Sequence, residues 1–218
     1  MLLANESHRS PYNDIVYVKV GDDATTFGIH RGLLCRQSSY FKAALSGNLK
    51  EAKEGVVVLE GEDAGIFERF NLWLYTGRFL KEDETVKDVG WETSIQIYIF
   101  AETHGAHRLQ NTTIDHMIRM NAVLKVLPGS PDIRRAWSGT SGASPIKRFL
   151  VDLYTRKADL PTIFGSGEKY KGFQMEFMVG IALAFHKMKR DRSMYELFEW
   201  LKERCRWHVH EVADPICV

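Results

Sequence analysis

The pattern of this chain argues for an α+β domain built on a small sheet and followed by an all-helical extension. Three observations carry that reading. Two runs of β-branched and aromatic residues near the start are joined by a turn, and a third apolar run, VVVLEG, lies among short segments of helical spacing. Beyond residue 145 the apolar residues keep a helical period throughout. Length and composition allow both parts: 218 residues, 44% hydrophobic and 26% charged, lie near the globular average and can bury a core.

DIVYVKVG, Asp14 to Gly21, has the β-branched and aromatic content that strands prefer. Gly21, Asp22 and Asp23 supply turn chemistry, and TTFGIH, Thr25 to His30, reads as the returning strand of a hairpin. In RGLLCRQSSYFKAALSG, Leu33, Leu34, Tyr40, Phe41, Ala44 and Leu45 recur at helical spacing. Ser38 or Ser39 caps a second short helix there, and Gly47 ends it. VVVLEG, Val56 to Gly61, is a further strand. Asp63 then opens a helix whose Ile66, Phe67, Phe70 and Leu74 share one face, with Gly77 as its stop. GRFLKEDETVKDVG is polar enough to be a loop. In SIQIYIFAETHG the run IQIYIF is locally strand-like, so periodicity alone leaves helix and strand both open. A helical reading continues through Leu109, Ile114, Met117 and Ile118.

Residues 128–145, PGSPDIRRAWSGTSGASP, read as a Gly-, Pro- and Ser-rich connector with no core-facing period. Ile146, Phe149, Leu150, Leu153 and Tyr154 then follow the i, i+3, i+4, i+7, i+8 rule of an amphipathic helix. Phe177, Ile181, Ala184, Phe185 and Met188 mark a second helix, with the loop FGSGEKYKG before it. Ser193 and Glu196 form a capping box opening a third, whose inner face holds Met194, Leu197, Phe198 and Leu201. Charge divides along the same line. Residues 1–119 carry 13 Lys and Arg against 17 Asp and Glu, whereas residues 120–218 carry 16 against 11.

These features exclude several functions. A net charge of +1 argues against a strongly basic nucleic-acid binder, and no run approaches the roughly 20 apolar residues of a transmembrane helix. The opening MLLANESHRSPYND lacks a basic start and an apolar h-region, so no secretory signal is expected. Three cysteines cannot all pair, which fits a reducing cytoplasm or nucleus. Gly139, Ser141 and Ala143 do not complete a nucleophile elbow, and in GSGEKYKG Tyr170 follows Lys169 where a phosphate loop needs Ser or Thr. Lys187, Lys189, Arg190 and Arg192 read as a solvated helix end. No paired carboxylates or Ser/His/Asp set stand out, so the chain is expected not to be an enzyme.

DIVYVKVG, FGIHRGLLCRQSSYFKAAL and VVVLEGEDAGIFERFNLWLYTGRF, in that order, resemble the BTB/POZ domain, and IYIFAETHGAHRLQNTTIDHMI looks like that domain's last helical hairpin. Asp14, Phe27 with His30, Tyr40 with Phe41, and Leu74 to Gly77 are the most telling pieces. The resemblance divides the chain into a tail at 1–13, a BTB/POZ domain at 14–122 and a helical extension at 123–218 with its linker at 128–145. The whole plan looks most like the short BTB proteins abundant in filamentous fungi. It implies a protein-interaction adaptor that self-associates as a homodimer and recruits a client, of unknown identity, to a cullin-3 ubiquitin ligase. The other function it allows is a transcriptional or structural oligomerisation module with no ligase role.

In dimeric members an aspartate at the first strand and a basic residue just after the histidine form a charged pocket at the dimer groove, and Asp14 and Arg31 match them. The bland alternative is a strand-edge ion pair worth about 0–1 kcal/mol if exposed. With 13 residues ahead of Asp14, the strand-exchanged form of dimer is not expected. Cullin-binding members carry a hydrophobic-x-Glu motif between the second helix and the third strand, and Leu49-Lys50-Glu51 fits it. There the alternative is a solvated loop with one buried leucine. His30 reads as a hydrogen-bonded structural histidine and Cys35 as a small core residue. Near the end, Cys205, His208, His210 and Cys217 are four donors in thirteen residues, a plausible tetrahedral set for structural zinc but with an unfamiliar spacing. The alternative is a basic tail with surface histidines, and no other cofactor is expected.

Overall fold

The computed structural model describes residues 10–159, 172–190 and 204–210. The loop FGSGEKYKG up to Lys171, the capping box at Ser193 and Glu196 with its inner face, and Cys217 lie outside the described residues. The chain folds as two compact units: Met1–Lys81 with Thr103–His107, and Glu82–Glu102 with Arg108–Val218. Three strands and nine α-helices lie among the described residues, an α+β architecture whose later part is helical. No described helix is long and apolar enough to cross a membrane.

The first unit is organised by a three-stranded sheet of order β2-β1-β3. β1 (Ile15–Val20) and β2 (Thr25–His30) form the antiparallel hairpin, in register from Ile15 opposite His30 to Val20 opposite Thr25. β3 (Val56–Leu59) runs parallel to β1 on its other side. Alternation along β1 sends Val16, Val18 and Val20 fully into the core and leaves Ile15 and Tyr17 exposed. α1 (Arg31–Gln37) and α2 (Ser39–Ala44) meet at Ser38, the residue that caps α2. Its Oγ accepts from Phe41 N at 3.2 Å and donates to His104 O at 2.5 Å. α2 stops at Ala44, so Gly47 falls in the following turn, where its φ is +74°. α3 (Lys50–Glu54) is an extra turn of helix that no apolar period announced.

α4 (Ala64–Thr76) begins and ends as expected. Asp63 Oδ1 accepts from Ile66 N at 2.8 Å, and Gly77, at φ +71°, donates its N–H to Trp73 O. Phe41 stacks on Phe70, and Phe67 meets Phe70 edge-on, so α2 and α4 share one aromatic core.

The second unit is built from α5 (Trp91–Thr103), α6 (His107–Leu124), α7 (Ser130–Gly139), α8 (Pro145–Lys157) and α9 (Met175–Arg190), closed by a 3-10 turn at Arg204–Arg206. Its core gathers Ile95 and Tyr98, Ile114 and Met117, Ile133, Phe149, Phe177 and Trp207. IQIYIF is helical. Ile95, Ile97, Tyr98, Phe100 and Ala101 are all buried, so α5 is apolar over most of its circumference and only a narrow strip with Glu92, Gln96 and Thr103 is left to show a period. α5 and α6, which the resemblance allots to the first domain, thus supply core to the second unit.

One expectation is corrected. Residues 128–145 are not a plain connector, because α7 lies within them and buries Ile133 and Ala136 completely. Pro131 occupies the first turn, where its missing N–H costs nothing. Asp132 Oδ2 accepts from Gly129 N at 2.9 Å and completes the start.

Candidate protein-docking site

Asp14 directly precedes β1 and Arg31 directly follows β2. Because Ile15 pairs with His30, the hairpin register brings these flanking residues side by side. Arg31 N donates to Asp14 O at 2.8 Å, and Arg31 Nε lies 2.9 Å from Asp14 Oδ2. The side chains are 32% and 61% exposed, so solvent screens the pair and its own worth is about 0–1 kcal/mol. The same guanidinium reaches further: its Nη2 donates to Ala52 O, inside α3, at 3.1 Å. One side chain therefore ties the charged pair to α3, the helix that carries Glu51.

Leu49 is the extended residue that leads into α3, and Gly55, at φ +64°, ends that helix and turns the chain into β3. Leu49 is 51% exposed, so it is not a buried loop leucine. Beside it lies a groove of about 160 Å³. Tyr40 and Ala44 of α2, Lys50, Glu51 and Glu54 of α3, and Val56 to Val58 of β3 line it. Tyr40 and Val58 are themselves 39% and 52% exposed. Lys50 Nζ lies 4.0 Å from Glu54 Oε1, both exposed. β3 is also an edge of the sheet. Exposed Leu49, Tyr40 and Val58 thus lie together with the Glu51 and Glu54 carboxylates at one groove.

Tyr40 and Val58 were the residues that sequence reading missed. Tyr40 counted as a core position because it falls at helical spacing, and nothing in VVVLEG separates a strand that lines a groove from a core strand. Of two supporting roles, His30 is hydrogen-bonded as expected, whereas Cys35, expected in the core, is only half-buried. His30 Nδ1 lies 2.8 Å from the Tyr75 hydroxyl. The Cys35 thiol is pushed up from its usual range by burial, against the pull of Arg31 and Lys42, as suits a packing residue.

The Cys/His segment is anchored in the second unit. Trp207, 1% exposed, donates Nε1 to Asp152 Oδ2 at 2.9 Å and packs edge-on against Phe149. Asn111 holds Val209 at both backbone groups, accepting from its N at 2.7 Å and donating to its O at 2.8 Å. His208 is buried, with Nε2 3.2 Å from Asp115 Oδ1, while His210 is exposed, its ring 6.1 Å from that of His208. Cys205 sits in the 3-10 turn. Among the described residues no three such donors are arranged to hold a metal ion, and Cys217 lies outside them. Asp115 is 93 positions from His208, so no local signal pointed to it.

The model of the BTB/POZ domain family matches residues 6–90. Kelch repeat and BTB domain-containing protein 2 of Homo sapiens and that of Pongo abelii are each 34% identical to this chain over 83 residues. The matched stretch covers 38% of this chain and 13% of those relatives' length.

Proposed function

We propose, from the premise that residues 6–90 of this chain are a BTB/POZ domain, that the protein is a non-enzymatic interaction adaptor. BTB domains are generally interaction modules rather than catalysts, and the chain carries one. On the finer reading, the domain self-associates with Asp14 and Arg31 at the contact, and Leu49 and Glu51 engage a cullin-3 scaffold. The remaining residues recruit the client, and the protein works in the cytoplasm or nucleus. The observation that carries this reading is the groove between α2, α3 and β3, with Glu51 lining it and Leu49 exposed beside it.

Affinity purification of the whole chain from a cell extract tests the scaffold contact. Cullin-3 is expected to copurify, and Leu49→Ala with Glu51→Ala is expected to reduce recovery at least about tenfold, the size of a modest hot spot. Undiminished recovery with the double variant overturns the named contact. Absence of cullin-3 from the unaltered chain's eluate overturns the ligase reading and favours an oligomerisation module.

A further inference from the structure

α9 is amphipathic on its inner side in the ordinary way: Phe177 and Ile181 are buried in the core of the second unit. Its outer side is unusual. Met175, Val179 and Leu183 are 73%, 47% and 65% exposed, and they recur every four residues, so they form one stripe. Ala182 is exposed alongside them. A single exposed apolar residue needs no explanation, whereas a continuous row of three, about 12 Å long at 1.5 Å per residue, marks a surface built for contact.

The charges that frame the stripe identify what covers it. Glu176 at one end and Lys187 at the other are both exposed, and eleven residues, three helical turns, set them on the face that Val179 and Leu183 share. We infer that this face of α9 docks against the same face of a second copy of this chain, antiparallel, about a two-fold axis near residue 181. In that arrangement Val179 meets the partner's Leu183, and Glu176 meets the partner's Lys187. Each contact occurs twice, as a closed isologous interface requires. A parallel pairing would oppose Glu176 to the partner's Glu176 and Lys187 to the partner's Lys187, so charge selects the antiparallel form. Antiparallel helices also oppose their dipoles favourably. A face of this size falls short of the roughly 800 Å² per partner of a standard interface, so the contact is weak alone. It is a second self-association surface, distinct from the one proposed at Asp14 and Arg31.

Sedimentation of the whole chain over a concentration series is the test. Leu183→Asp and Glu176→Lys are each expected to raise the concentration of half-association at least about tenfold. The combined variant Glu176→Lys with Lys187→Glu is expected to restore it, because the swapped charges again meet their opposites. Curves unchanged by Leu183→Asp overturn the proposal, as does a double swap no better than either single change. A melting temperature lowered by Leu183→Asp with an unchanged mass shows that the chain covers its own stripe, and that also overturns it. Asp14→Lys separates the two surfaces: if it abolishes association while the α9 variants leave it intact, this proposal falls and the domain-mediated reading stands.

Discussion

Tyr98 sits in the core of the second unit with its hydroxyl 3.4 Å from Ser144 Oγ. Burial is the main cause that pushes its phenol up to about 12. The Ser144 hydrogen bond offsets part of the rise, and the Glu102 carboxylate adds to it. A phenol raised in the folded state stabilises fully below its ordinary value of 10.0, and that stability is lost as pH climbs through the folded value. Urea unfolding is therefore expected to show a midpoint that drops between pH 10 and about 12, and Tyr98→Phe should make that drop smaller. Equal slopes for the two proteins would refute the assignment. Trp207 offers a second test. Fully buried, bonded to Asp152 and packed on Phe149, it should cost about 3–5 kcal/mol on change to alanine, read by denaturant unfolding of the whole chain. A loss under about 1 kcal/mol would show that the segment is not pinned there. Sequence inspection passed Trp207 by, because in CRWHVH the cysteine and histidines are the chemically loud residues and a tryptophan's burial depends on distant helices.

At the level of elements, legibility followed how local the determining forces are. α4 was readable from end to end because its cap, its face and its stop lie within one stretch of sequence: Asp63, then Ile66 to Leu74, then Gly77. Changing Asp63 to alanine removes the acceptor for Ile66 N and should cost about 1 kcal/mol by thermal or chemical unfolding. An unaltered midpoint would mean that the cap is replaced by water. α7 was hidden for the opposite reason, since only Ile133 and Ala136 of its ten residues are buried and its flanks look like loop. α3 was hidden because its five residues bury none of their side chains. The turn after α5 shows a tighter constraint. Gly105 holds φ +61°, and a methyl group there would fall against Ser39 Oγ and Cβ. Its carbonyl and that of His104 also accept from Ser39 N and Tyr40 N, the first free N–H groups of α2. Gly105→Ala should therefore destabilise by more than about 1 kcal/mol, the left-handed penalty alone. An unfolding curve that overlays the unaltered protein's would contradict this.

For the molecule as a whole, the sequence order of hairpin, short helices, strand and capped helix was enough to identify the fold of the first unit, because each part has its own local signal. The candidate docking site was half legible. Asp14, Arg31, Leu49 and Glu51 could be picked out by position, but the groove beside them depends on where α2 lies relative to β3, and the Arg31 link to Ala52 spans 21 residues. The charge contrast between the halves was plain in the sequence, yet it did not follow the packing, since residues 82–102 and 108–119 belong to the second unit. That interleaving bears on how the chain is made. The first unit includes residues 103–107, whose His104 and Gly105 carbonyls accept from the first two N–H groups of α2, and the ribosome delivers them only after most of α5. Translation therefore leaves the nascent sheet and its aromatic core waiting, with the first turn of α2 held by the Ser38 cap alone, until more than a hundred residues have emerged. A slow stretch of codons before that point lengthens the time in which the unfinished unit is open to chaperones and to aggregation.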